Sequence, residues 1–229
     1  MKIQTINSIE ISSICDNACV YCPCKDQGLH REIGFMSVPV FEKTIEWVSQ
    51  FCKDGTQLEV NLFGVGEPTL HPKVVQYVAY ARQMLPFKHD IHLNTNGNTM
   101  TEGLARSLKD AGITAIDITG HDHYATANTV RIFRRLRIPH RVSHDFAITP
   151  NNWAGQVDWF SPEYIAGDCP WICRGQVMVM SNGDVTTCCI DAFGKNIMGN
   201  ILEDDLSRMD VKYSTLCTKC HHTVPSEYR

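Results

Sequence analysis

From residue 1 to about 149, short apolar runs alternate with segments that have helical spacing. Ile9 to Ile14, Leu58 to Phe63, Asp90 to Thr95, Ile113 to Thr119 and Arg141 to Ile148 read as strands. Val40 to Phe51 places Phe41, Ile45, Val48 and Phe51 on one side of a helix. Lys73 to Leu85, Thr101 to Leu108 and Thr129 to Leu136 also read as helices, with Glu102 in a first turn and Gly112 as a stop. Such alternation predicts parallel strands joined by right-handed helical crossovers. Five units fall short of the eight that close a barrel. The expected fold is therefore α/β, a partial (β/α) TIM-like barrel over residues 1–149 with a small C-terminal extension.

The rhythm fails over 150–168, where Asn, Trp, Gly and Pro mark an irregular connector. In the extension, 169–229, Gln176 to Met180 and Val185 to Cys189 flank Ser181-Asn182-Gly183-Asp184. Asn-Gly between two apolar runs predicts a hairpin with a two-residue turn. A short helix is expected near Leu202 to Met209.

Composition changes this picture in one respect only. Apolar residues at 43% and charged residues at 20% are ordinary for a globular protein, and a net charge of −4 gives no general attraction to nucleic acid or anionic membrane. No apolar stretch reaches the ~18–20 residues of a membrane span, and the N-terminus lacks a signal-peptide core, so a cytoplasmic protein is expected. The unusual feature is eleven cysteines, clumped as Cys15, Cys19, Cys22 and Cys24, then Cys169, Cys173, Cys188 and Cys189, then Cys217 and Cys220. In a reducing compartment such clumps favour metal ligation over disulfides.

Cys15, Cys19 and Cys22 lie in a loop after the first strand, and three thiolates at these gaps can wrap one face of an iron–sulfur cubane while leaving one iron open. A structural zinc site or an electron-transfer cluster would use the same residue type. The spacing Cys-x3-Cys-x2-Cys, with the aromatic Tyr21 before the last cysteine, resembles the signature of the radical S-adenosylmethionine (AdoMet) superfamily. Gly64-Val65-Gly66-Glu67-Pro68 follows the second strand and resembles that family's glycine-rich loop for the cofactor's amino group. Glycines admit close backbone approach, and Glu67 can accept hydrogen bonds from an ammonium. The resemblance implies a 4Fe–4S cluster on Cys15, Cys19 and Cys22, whose open iron chelates AdoMet. Reductive cleavage then gives methionine and a 5′-deoxyadenosyl radical that takes a hydrogen atom from substrate. It also implies an external electron donor of flavodoxin or ferredoxin type.

Asn94, Asn96, Thr119 and His121 lie where strands stop, and barrel sites form at those ends. Asn94 and Thr119 are cofactor-binding candidates with Tyr21 and residues 64–67, while His121, Asp122, His123, His144 and Asp145 are candidate substrate contacts or proton carriers.

Gly183-x4-Cys188 resembles the Twitch and SPASM extensions of the same superfamily, which carry auxiliary iron–sulfur clusters. The cysteine count suits a Twitch unit with one second 4Fe–4S cluster, on Cys169, Cys188, Cys217 and Cys220, with Cys173 as an alternative to Cys169. Four thiolates can also hold zinc. Length and motif order are similar to aminocyclitol dehydrogenases of this superfamily. Those enzymes place an arginine near substrate where this chain has Trp153, an aromatic suited to stacking. The expected reaction is oxidation of a hydroxyl-bearing small molecule, a sugar or cyclitol, with the second cluster accepting an electron. A peptide substrate that is crosslinked or epimerised is the alternative, as is a sugar or nucleoside epimerase.

Overall fold

The computed structural model describes residues 1–24, 31–57, 59–86, 89–144, 152–157 and 167–220. The chain runs β1 (Thr5–Ile9), α1 (Val38–Lys53), β2 (Glu59–Leu62), α2 (Val74–Met84), β3 (Asp90–Thr95), α3 (Glu102–Asp110), β4 (Ala115–Gly120), α4 (His123–Leu136) and β5 (His140–His144). There follow α5 (Pro170–Cys173), β6 (Gln176–Val179), β7 (Asp184–Thr186) and β8 (Ile197–Asn200). Strands β2-β3-β4-β5 form one parallel sheet in sequence order. A second sheet has the order β1-β6-β7-β8, with β6 parallel to β1 and the remaining pairs antiparallel.

The two sheets meet at β1 and β2 without a ladder. Gln57 replaces it: Oε1 accepts from the Ile6 amide at 3.0 Å, and Nε2 donates to the carbonyls of Ile6 and Glu59, each at 2.9 Å. A side-chain amide carries the same donor and acceptor as a peptide, so it satisfies both strand edges. Residue 169 marks no break in packing. Ile172, Val177, Val179, Val185 and Ile201 join Ile6, Phe41, Ile91 and Phe133 in one core.

Several expected boundaries move, each for a physical reason. The first strand is Thr5–Ile9, not Ile9 to Ile14, although Ile9 and Ile11 are both fully buried. Beyond Ile9 the backbone turns to the segment returning from the cysteine loop: Ser12 bridges Phe35, Ile11 accepts from the Met36 amide, and Ser13 and Gly34 bond each other. Helix α4 begins at His123, well before Thr129, because the Asp122 side chain caps it by accepting from the Ala125 amide at 2.7 Å. The hairpin turn has three residues, not two. Only Gly183 takes positive φ (93°), Gly183 donates to the Met180 carbonyl, and Met180 donates to Asp184, the pattern of a type I turn with a glycine bulge. Between Leu202 and Met209 only the short 3-10 turn Leu206–Arg208 forms, and β8 was not foreseen.

Candidate active site

A cleft with about 820 Å3 of space, part of it open to solvent, lies at the carboxyl ends of the parallel strands. The loop after β1 contributes Cys15, Asn17, Cys19, Tyr21 and Cys22; the loop after β2 contributes Phe63 to Glu67. Asn94, Thr95 and Asn96 come from the end of β3, Thr119 and His121 from the end of β4, and Trp153 from the connector. Thus Tyr21, Gly64, Val65, Gly66, Glu67, Asn94 and Thr119, dispersed over a hundred residues of sequence, face one space.

The two loops are locked together from beneath. A Cβ on Gly66 would collide with the backbone carbonyls of Ser12 and Ile14, and one on Gly64 with the Glu10 side chain, so both close approaches need glycine. Glu10 is fully buried, and Arg31 Nη2 donates to both of its carboxylate oxygens at 2.7 and 2.8 Å. The same carboxylate accepts from the amides of Val65 (3.1 Å) and Ser181 (3.3 Å), and Arg31 Nε donates to the Ala192 carbonyl (2.7 Å). One ion pair therefore ties the cysteine loop, the glycine loop and the C-terminal hairpin. The sequence reading missed it; its signal was a single charge, Glu10, inside the run Ile9-Glu10-Ile11. Arg31→Ala strands that carboxylate in the interior, and an expected loss of roughly 3–5 kcal/mol should appear in urea unfolding under anaerobic conditions. A loss below about 1 kcal/mol, the level of a surface pair, would show that the pair is not the tie described.

Glu67 is only 3% exposed, and burial pushes its carboxyl above the usual carboxylate range. Its Oε1 accepts from the Thr69 amide (3.0 Å), the Thr69 hydroxyl (2.6 Å) and the Thr95 hydroxyl (2.9 Å). Its Oε2 accepts from the Asn96 amide at 2.7 Å. Glu67 is thus a strut between the glycine loop and β3 as well as a candidate ligand group. Oε2, with one protein donor, keeps a lone pair for an ammonium.

Burial pushes the Cys15 thiol up to about 11 and raises Cys19, whereas the hydrogen bond from Cys24 lowers Cys22. Cys24 is buried, donates to the Val65 carbonyl at 3.1 Å and does not line the cleft. All eleven cysteines are free thiols, and among the described residues no three His, Cys, Asp or Glu side chains converge to hold a single metal ion. The donor set suits an iron–sulfur cluster: three thiols on one wall of the cleft, facing the glycine loop, with no fourth cysteine in the lining.

Cys169, Cys188, Cys217 and Cys220 line a second, smaller pocket with Ala154, Trp171, Ile172 and Leu216. Cys173 is exposed and lies outside that lining. The two linings adjoin in sequence: Trp153 lines the cleft and Ala154 lines the second pocket. Trp153 packs against the buried cluster of Cys24, Val65 and Ala192, which Cys15 and Cys22 also touch, and against that of Ala154, Ile190, Leu216 and Cys220, which Cys188, Cys189 and Cys217 also touch. Trp153 (φ 53°) and Ala154 (φ 55°) both take the left-handed conformation, which costs roughly 1–3 kcal/mol per residue. Trp153 Nε1 donating to the Tyr21 carbonyl (2.9 Å) and Gly155 N donating to Asn152 Oδ1 (3.1 Å) hold them there.

Of the expected substrate contacts, His121 lines the cleft, with Nδ1 2.8 Å from the Tyr21 hydroxyl. Asp122 is corrected to a helix cap, since its carboxylate is engaged with the Ala125 amide. His123 is exposed in the first turn of α4 and is not among the lining residues. His144 ends β5 and its side chain lies outside the described residues, as does Asp145. Among the described residues no helix is long and apolar enough to cross a membrane.

Comparison with known proteins agrees with this geometry. An S-adenosyl-L-methionine-dependent 2-deoxy-scyllo-inosamine dehydrogenase of Niallia circulans is 24% identical over 217 residues, covering 90% of this chain and 82% of that protein. A probable GTP 3′,8-cyclase of Pyrococcus horikoshii is 32% identical over 111 residues, covering 48% of this chain and 32% of that protein. The fold matches a crystal structure of BtrN in complex with AdoMet and 2-DOIA, with TM-score 0.72 and 21% identity over 92% of this chain and 85% of that one. The model of the Radical SAM superfamily matches residues 9–143, more than half of the chain, and with both its cysteine loop and its glycine loop in that span the protein belongs to this superfamily.

Proposed function

We propose that the protein oxidises a hydroxyl-bearing small molecule, a sugar or cyclitol, by two electrons. The observation that carries this reading is that adjacent residues serve two pockets, Trp153 lining the cleft and Ala154 a second pocket that four cysteines also line. The near full-length similarity to a cyclitol dehydrogenase supports it. When bound, AdoMet on a 4Fe–4S cluster supplies the 5′-deoxyadenosyl radical, and a second 4Fe–4S cluster on Cys169, Cys188, Cys217 and Cys220 supplies an acceptor for one electron.

The chain's own residues do the rest. Tyr21 and Trp153 offer aromatic surface to the cofactor and to one face of a ring, as carbohydrate contacts commonly require. His121 is placed to take the hydroxyl proton, and the Tyr21 hydroxyl at its Nδ1 fixes the imidazole. The balance is complete: a hydrogen atom leaves the carbon, a proton leaves the oxygen, and one electron leaves the substrate radical. Reduction of the first cluster comes from an external flavodoxin- or ferredoxin-type donor.

The test is anaerobic reconstitution and incubation with a panel of amino- and hydroxycyclitols and sugars, reading 5′-deoxyadenosine, substrate mass and trapped carbonyl. The reading expects one 5′-deoxyadenosine per product, a loss of about two hydrogens in mass, and a carbonyl that reacts with a hydrazine. Unchanged mass with solvent deuterium at one carbon would replace oxidation by epimerisation. A peptide that loses two hydrogens without a trappable carbonyl would indicate crosslinking.

A further inference from the structure

Asn17 stands between Cys15 and Cys19 and lines the cleft, yet its side-chain nitrogen is buried and has no hydrogen-bond partner. Its neighbours determine which way the amide faces. The Asp16 carboxylate only accepts, and it takes Asn96 Nδ2 at 2.7 Å and Asn98 Nδ2 at 3.2 Å. Asn98 is thereby oriented with its nitrogen inward, and that nitrogen also donates to Asn17 Oδ1 at 2.9 Å. The oxygen of Asn17 is committed to this relay, so Nδ2 is left as a donor without an acceptor. The relay continues to Glu67, because Asn98 N donates to Asn96 Oδ1 (2.9 Å) and Asn96 N donates to Glu67 Oε2 (2.7 Å).

One hydrogen-bonded chain therefore connects an unfilled donor, Asn17, to a buried carboxylate, Glu67, on the same cleft. The amino-acid end of AdoMet is a zwitterion with complementary needs: its ammonium seeks an acceptor and its carboxylate a donor. Among the described residues no lysine or arginine lines the cleft, and a neutral donor is what the lining offers the carboxylate. We propose that the Asn17 side-chain amide donates to the methionyl carboxylate of AdoMet, while Glu67 receives the ammonium. Asp16, Asn96 and Asn98 are positioning residues that hold the two at fixed separation. This rests on membership of the superfamily and not on the identity of the substrate or the product.

The test is anaerobic titration calorimetry of the reconstituted protein with AdoMet and with its decarboxylated analogue, without substrate. Asn17→Ala should weaken AdoMet by about tenfold or more, as loss of a hydrogen bond to a charged group does, and should leave the analogue's affinity nearly unchanged. Asn17→Asp keeps the side-chain shape and the acceptor toward Asn98, and by opposing a second carboxylate it should weaken AdoMet further than Ala does. If Asn17→Ala fails to load iron, Asn17→Asp carries the same two-ligand comparison. Equal weakening of both ligands, or of neither, overturns the assignment. A shift in the reduction potential of the first cluster with AdoMet affinity unchanged also overturns it, because the amide would then serve a cluster sulfur.

Discussion

Replacing Cys15, Cys19 and Cys22 together by Ala is expected to abolish AdoMet cleavage while leaving the second cysteine site able to bind iron. On the proposed two-cluster reading, the wild-type protein should hold roughly eight irons and eight sulfides, and the triple variant about half. The expectation rests on placement: these three thiols line one cleft together with the glycine loop, whereas Cys169, Cys188, Cys217 and Cys220 line a different pocket. Cys24 is not positioned to rescue the first site, since its thiol is buried against the Val65 carbonyl. Iron and sulfide analysis with chromatography of 5′-deoxyadenosine decides the matter. Undiminished iron in the triple variant, or residual cleavage at the wild-type rate, would mean that these cysteines are not the ligands. Zinc at the second site in anaerobically purified protein would remove its redox role.

Why the first site was legible and much of its support was not follows from the kinds of signal involved. Three cysteines within eight residues and a Gly-Val-Gly-Glu-Pro run are local in sequence, and local patterns can be read without coordinates. Beta-alpha alternation was equally plain, because β2, β3 and β4 each carry buried apolar residues in period two. What stayed hidden is tertiary. Gln57 standing in for a ladder, Arg31 seeking Glu10, and Asn17 facing Asn98 are partnerships over 21 to 81 residues of separation, and no periodicity announces them. The start of α4 was missed for a different reason: Asp122 beside His121 and His123 was read as chemistry, and its caps-and-turns role was passed over. The first strand was displaced because apolar alternation continues through Ile11 after the ladder has ended.

Trp153 joins the two halves of the molecule. Sequence reading offered it as a substrate contact in an irregular connector. Its neighbours in space add a second role, because the same indole packs against both small buried clusters that the two cysteine sets touch, while its Nε1 grips the backbone of the cysteine loop at Tyr21. Two consecutive left-handed non-glycine residues, with Gly155 (φ 75°) after them, are conformations that surrounding structure has to impose. The imposition comes from both sides: Tyr21 before it in the chain, and Ile190 of the extension through Gln156, whose Nε2 donates to the Trp153 and Ile190 carbonyls at 2.7 Å each.

The second large effect is expected from disabling the C-terminal site with Cys217→Ala and Cys220→Ala. Cleavage of AdoMet should persist, because neither cysteine lines the cleft, while ketone formation should collapse, because on the proposed reading the substrate radical loses its electron acceptor. The readout is the ratio of trapped carbonyl to 5′-deoxyadenosine, which a simple loss of folded protein would leave unchanged. Cys220 is buried and Cys217 accepts from the Ser214 amide, so folding is a legitimate concern at both positions. Cys217→Ser alone retains a polar acceptor there and serves as the milder variant. The expected signature in either case is uncoupling: 5′-deoxyadenosine released without product, or substrate recovered with hydrogen exchanged at the attacked carbon. A ratio equal to wild type would detach the second site from catalysis and leave it a structural element. A low ratio with intact AdoMet binding would instead tie the four thiols of the second pocket to the oxidation itself, since no residue lining the cleft was changed.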